Sequence, residues 1–298
     1  MNSDSRSGAD TAADWRTPLL AGITLRPAAD RTTNRLGWPD YDGRSALRWG
    51  DGVIVGVPAV AAVWDFAVHG GSFGEEDAAA FAAAAAAALA TRRPLVSLLR
   101  SGGTRLQEGV AGLVGLPRAA LALAALDDAG IGHLAVADQP TTGGVWVTIG
   151  SRSDLRCAVT GATVGFTGPR VVEAMTGTPP PADSHHAASA FAAGLVDAMP
   201  SPATVADWLR RALTALALSG PDHPTRGTSP APAGDASRPP APPRGAAQTG
   251  TTRSGWEQVQ TARTAPRPDG ATLVRTLLPD GVDLVGADRG VAARVGAL

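Results

Sequence analysis

Pro94-Leu95-Val96-Ser97-Leu98-Leu99-Arg100-Ser101-Gly102-Gly103-Thr104-Arg105-Leu106-Gln107-Glu108-Gly109 reads as a strand, a glycine turn and the approach to a helix. Pro94 to Leu99 is an apolar run of strand length, closed by Ser101-Gly102-Gly103. Glu108 to Asp128 then takes up helical spacing. Upstream, Glu75 to Thr91 is helical and encloses the alanine-rich tract Ala78 to Ala90, while Val53 to Val63 is β-branched, broken by Gly56 and Pro58, and suggests a strand pair. Downstream, His133 to Ala137 reads as a second strand ending before Pro140. Val145 to Ile149 and Ala158 to Val164 continue the alternation, and Arg170 to Met175, Ala187 to Leu195 and Pro202 to Leu218 read as helices. Strands alternating with helices predict a layered α/β core.

The 298 residues (30.0 kDa) are 44% apolar, enough to bury a sizeable core, and carry a formal net charge of −1, which offers no field for nucleic acid. The single cysteine, Cys157, excludes an internal disulfide and any zinc site built on two or more cysteines, so no metal is expected. All 26 basic residues are arginine, which removes P-loop, Schiff-base and biotinylated lysines together. The polar start from Met1 to Asp14 has no apolar h-region, and the alanine tract is too weakly hydrophobic for a span; a cytoplasmic protein without a membrane segment is expected. Residues 1–40 read as a flexible arm. Residues 219–255 hold eight prolines and no Val, Ile, Leu, Met, Phe or Trp, the composition of a linker, and 256–298 form a short tail.

Three glycine-rich turns lie at strand-to-helix junctions: His69-Gly70-Gly71-Ser72-Phe73-Gly74, Ser101 to Gly109, and Pro140-Thr141-Thr142-Gly143-Gly144-Val145. A glycine pair at a helix start leaves backbone N–H groups bare, and the helix dipole favours negative charge there. Such a nest suits a phosphate or a developing enolate oxygen. A lone pair of glycines more often only makes a tight turn.

Taken together and in order, residues 41–218 resemble the carboxyltransferase β subunit of bacterial acetyl-CoA carboxylase, in the crotonase superfamily. The matching stretches are Asp65-Phe66 with the GGS-x-G turn, SGGTRLQEG at Ser101 to Gly109, PTTGGV at Pro140 to Val145, GFTGPRVVE at Gly165 to Glu173 and PPPADSHHAASAFAAGLVD at Pro179 to Asp197. The resemblance implies a crotonase-like α/β core of repeated ββα units. It also implies a biotin-dependent reaction: carboxybiotin on a separate carrier protein yields CO2, biotin N1 takes an α-proton from acetyl-CoA, and the enolate captures CO2 to give malonyl-CoA for fatty-acid or polyketide supply. On this footing Gly143 and Gly144 supply a backbone oxyanion hole, facing either the thioester enolate or the biotin ureido oxygen. Gly70, Gly71, Ser101, Gly102, Gly103, Arg105, Gly168 and Arg170 line the acyl-CoA and biotin pocket. Arg105 and Arg170 are candidates for CoA phosphates, or for ion pairs with Glu108 and Glu173. His185 and His186 read as helix-start packing and Cys157 as an inert buried thiol.

The family's four-cysteine zinc ribbon has no counterpart in this sequence. Trp146, Val147 and Thr148 stand where small residues follow GGV and are expected to narrow the oxyanion hole, and Ala158-Val159-Thr160 lacks a family carboxylate. The tail, with Trp256-Glu257-Gln258-Val259-Gln260-Thr261-Ala262-Arg263 and Val282 to Arg289, resembles the opening of the carboxyltransferase α subunit. The implied partners are an α half, biotin carboxyl carrier protein and biotin carboxylase, in a hetero- or homo-oligomer. The alternatives are a malonate decarboxylase β-type subunit, a propionyl-CoA carboxyltransferase, or a non-catalytic assembly subunit.

Overall fold

Val55 and Gly56, both at positive φ (46° and 87°), turn the chain between β2 (Leu47–Ile54) and β3 (Val57–Trp64). The hairpin is the strand pair read from the sequence, with its first strand starting earlier, because Leu47 to Gly52 pair with β3 in full register. The computed structural model describes residues 14–26, 30–218, 254, 256, 257, 260, 269–286 and 291–296. After β3 the chain forms α2 (Glu75–Thr91), β4 (Leu95–Ser101), α3 (Val110–Asp128), β5 (His133–Thr142) and β6 (Leu155–Ala158). β3, β4, β5 and β6 run parallel, and β7 (Val164–Gly165) pairs with the far end of β5. The remaining helices are α5 (Pro169–Thr176), α6 (Ala187–Ala192) and α7 (Val205–Leu218).

Side chains of a strand alternate between faces, so β3 fills two cores at once. Val60, Ala62 and Trp64 meet α2 and α3 on one face; Ala59, Ala61 and Val63 meet Trp208, Leu209, Ala212 and Leu213 of α7 on the other. α2 starts where Gly74 N–H donates to Asp77 Oδ2 (2.9 Å), with Glu75, Glu76 and Asp77 at the positive end of its dipole.

Two expectations change. Part of the expected arm is built into the fold: α1 (Arg16–Leu20) buries Arg16 and Leu19, and β1 (Ile23–Arg26) adds an antiparallel edge strand to β2. Four-residue elements carry too little periodicity to read, and β1 forms because the edge of β2 offers unpaired backbone groups. β5 does not stop before Pro140. The missing N–H is tolerated because the β4–β5 ladder is interrupted there, resuming at Ser101 opposite Thr141. The helix start expected after the third glycine turn is present: α4 (Gly143–Val145) passes directly into a π-helical turn, Trp146–Gly150. Residues 219–253 and most of 255–268 lie outside the described residues. In the tail, α8 (Gly270–Leu277) precedes a hairpin of β8 (Val282–Leu284) and β9 (Ala293–Val295), and Val282 packs on the α7 side of the sheet.

At the start of β5, His133 is buried with Nε2 2.9 Å from Ser97 Oγ, and Nδ1 has no partner. Burial pushes its pKa from 6.5 down to about 3. The unfolded chain therefore binds a proton below pH 6.5 that the folded chain refuses, and stability falls as pH drops through that window. In the double variant Ser97→Ala, His133→Leu, the loss of unfolding free energy between pH 6 and 4 is expected to be shallower by up to one proton, about 1.4 kcal/mol per pH unit. Denaturant titrations across that range measure the slope; an unchanged slope contradicts the assignment.

Candidate active site

The three glycine turns, far apart in sequence, meet at the carboxyl ends of β3, β4 and β5. Gly102 N–H donates to Gly70 O (3.0 Å), Phe73 N–H to Gly103 O (2.8 Å) and Arg105 N–H to Phe73 O (2.9 Å), stitching the first turn to the second. Ser101 Oγ accepts Gly103 N–H (3.1 Å), and Ser101 faces Thr141 across the sheet. The third turn closes from the other side: a Cβ placed on Gly143 would stand 3.0 Å from Gly103 Cα. Close backbone approach at positive φ (69°) is why position 143 is glycine. Gly71 has the same logic, since a Cβ there would overlap the Arg100 carbonyl oxygen.

Gly143 and Gly144 are the first residues of a helix, so their N–H groups have no carbonyl one turn earlier to bond. Both are half-buried, and Gly102 and Gly70 lie beside open space. The result is a backbone-lined cradle with donors at a positive helix end, suited to an oxyanion. Gly165 pairs with Thr142, which brings Gly168 and Arg170 at the start of α5 to the same end of the sheet; Arg170 is exposed, and among the described residues it forms no ion pair with Glu173.

Two site assignments change in character. Arg105 is fully buried and its donors are committed: to Asp77 Oδ2 (2.8 Å), Glu108 Oε1 (3.4 Å), Ser72 O (2.5 Å), Ser72 Oγ (3.2 Å) and Arg44 O (2.9 Å). It braces the glycine turns from behind and cannot reach a CoA phosphate. Trp146 does not narrow the cradle: the π-turn rolls its ring into the core with Ala137, Ala158 and Val164, and the bare Gly150 leaves room for it. A Cβ on Gly144 would press on Leu116 Cδ1 and Thr104 Oγ1, which puts the far side of that glycine against α3. Cys157 is buried, and burial together with Asp197 pushes its thiol pKa up, away from thiolate chemistry. His186 immediately precedes α6, and His185 Nδ1 lies 2.6 Å from Ser184 Oγ. Among the described residues no group of three or more His, Cys, Asp and Glu is arranged to hold a metal.

The Arg105–Glu108 ion pair is one of the two readings the sequence offered, whereas Asp77 was unmarked by the motifs; both carboxylates are structural partners of this site. Asp77 Oδ1 also accepts Leu47 N–H (2.8 Å); Glu108 accepts Glu75 N–H (2.6 Å) and the Tyr41 hydroxyl (2.5 Å). Burial and the bond to Glu108 push the Tyr41 phenol up to about 12. The one available signal was that Asp77 opens an otherwise apolar alanine tract.

The fold and the meeting of its glycine turns are those of a crotonase-fold protein. The chain belongs to the carboxyl transferase domain family, which it matches over residues 28–215. It is 41% identical over 138 residues to the acetyl-coenzyme A carboxylase carboxyl transferase subunit beta of Brucella canis, covering 45% of this chain and 46% of that protein. The chain thus spans about half the length of the curated relatives it matches. Among solved structures, a transcarboxylase 12S core with methylmalonyl-coenzyme A bound superposes with a TM-score of 0.59 at 26% identity, over 67% of this chain and 40% of that one. A Pseudomonas malonate decarboxylase hetero-tetramer in complex with malonate shares the fold, with a TM-score of 0.58 at 23% identity over 88% of this chain and 93% of that one.

Replacing Arg105 by Met leaves Asp77 and Glu108 buried without their countercharge, and is expected to cost about 3–5 kcal/mol of stability. Chemical denaturation measures it. An unchanged midpoint with weakened acyl-CoA binding would return Arg105 to a phosphate-binding role.

Proposed function

We propose that the chain is the β-type half of a biotin-dependent acetyl-CoA carboxyltransferase. The carrying observation is the convergence of three glycine turns, in the family's order, on the Gly143-Gly144 helix start. The two N–H groups stabilise the enolate oxygen of the acetyl thioester, and losing one such donor typically costs about 2.7–4 kcal/mol of barrier. Gly70, Gly102 and Gly103 keep side chains out of the path of the thioester, and Arg170 offers a guanidinium to the CoA phosphates. The methylmalonyl-coenzyme A bound to the transcarboxylase relative supports an acyl-CoA substrate. Biotin, presented on a separate carrier protein, supplies the carboxyl group and the base for the α-proton, so no side-chain base is asked of this chain.

The cradle is one wall of a site. Leu106 (77% exposed), Val110, Leu113 and Val114, in the turn after β4 and along α3, and Phe166 and Met175, before and on α5, expose apolar surface that no described residue covers. Surface of this kind favours an α half as the opposite wall. α3 is long and apolar enough to cross a membrane by length and composition, yet its inner face packs Gly115, Ala119, Leu123 and Leu126. The α-like residues 256–298, joined by a 219–255 linker, fit a chain that works beside or fused to such a half, with biotin carboxylase and carrier as further partners and the cytoplasm as setting.

Transfer of a carboxyl group from malonyl-CoA to biocytin, measured with and without an α half, tests the reading. Turnover only with the α half is expected. Silence in both favours another acyl substrate or an assembly role. Gly102→Val places a branched side chain on the open rim, where a Cβ meets nothing closer than Gly70 O at 3.5 Å. The variant is expected to keep its unfolding midpoint and to weaken acyl-CoA binding at least about tenfold, read by calorimetry. Unchanged affinity would move the thioester path away from this turn.

A further inference from the structure

We propose that Arg16 is a positioning residue for the glycine cradle, its guanidinium locking together the three strand ends that carry the turns. Arg16 Nη1 donates to Trp64 O (3.0 Å), the last residue of β3, and Nη2 to Leu99 O (3.1 Å), near the end of β4. The same Nη2 pairs with Asp138 Oδ2 (3.0 Å) on β5. One planar fork therefore spans three adjacent strands at the end where Gly71, Gly102 and Gly143 lie.

The location matters because the sheet ladder is weakest there. Register between β4 and β5 shifts between Leu99 and Ser101, so ordinary strand pairing does not hold those ends together. Arg16 fills the gap with Thr141, whose Oγ1 donates to Leu99 O (3.1 Å) and lies 2.8 Å from Asp138 O. Arg100 Nε adds a bond to Gln139 O (2.6 Å). From Thr141 the chain reaches Gly143 in two residues.

Net stability does not explain the residue. Its side chain is buried, Nε has no partner, and the charges facing it are Asp138, Arg100 and Asp14. A buried ion pair of this kind is often no better for stability than an apolar side chain of similar size. A fork reaching three acceptors has one property an apolar residue lacks: it fixes their relative positions. Lysine, with a point charge, holds fewer of them.

Hydrogen exchange of the full chain tests this directly, comparing wild type with Arg16→Met, Arg16→Lys and Asp138→Asn. Amides of residues 139–150 are expected to exchange about tenfold faster in Arg16→Met while α2 is unchanged, with Arg16→Lys in between. Equal acceleration in α2 and 139–150, or none in 139–150, overturns the proposal. Should Arg16→Met fail to fold, Asp138→Asn keeps both carbonyl bonds and is read by the same criterion. The activity arm rests on the carboxyltransferase reading above: with an α half, kcat for carboxyl transfer is expected to fall about tenfold or more in Arg16→Lys, with KM for malonyl-CoA within about twofold. A rise in KM alone contradicts positioning. If the wild type transfers nothing, that reading fails while the exchange result stands on its own.

Discussion

Everything at the glycine end of the sheet hangs on a buried cluster of charge: Arg105 between Asp77 and Glu108, all three side chains out of water. Such a cluster is costly to desolvate and persists only where every oxygen and N–H has a partner. Here it does, because the start of α2 supplies backbone donors. Asp77 takes Gly74 and Leu47 N–H, Glu108 takes Glu75 N–H, and Arg105 bonds Ser72 and Arg44 carbonyls. The loop after β3, the loop after β4 and the first turn of α2 are thus one rigid block. A backbone oxyanion cradle needs that rigidity, since its donors carry no side chains that could adjust.

The core elements were legible because their signals are local and strong. α2 spans Glu75 to Thr91 as its sequence reads, and β4 is bounded by Pro94 and the glycines. The third turn was half legible. PTTGGV announced a glycine-lined helix start, but the reading stopped β5 at Pro140, since nothing local reveals that the ladder is already broken opposite that residue. Trp146 was misjudged for a similar reason. Its position after Gly144 suggested a side chain in the cradle, while the π-turn that rolls it inward is a property of packing among Ala137, Ala158 and Val164.

Long-range polar partners were not legible at all. Arg105 sits inside a motif that invites a phosphate role, and only the fold brings Asp77 to it across 28 positions. Arg16 lies in a stretch whose composition resembles an arm, and its acceptors are 48 and 83 residues away. The family relationship carries the fold; the bonds of these two arginines tie together the strand ends and glycine turns of this particular chain.

The central claim is that the amides of Gly143 and Gly144 form the thioester oxyanion site. Glycine-selective 15N labelling, with acetyl-CoA titrated into the full chain, tests it most directly. Downfield movement of the Gly143 and Gly144 amide resonances, with Gly102 shifting beside them, is the expected result. A cavity of about 860 Å³ also lies between α7 and the tail, lined by Trp208, Gly281 and Gly286 among others. Shifts confined to Gly281 and Gly286, with the cradle glycines unmoved, would contradict the account.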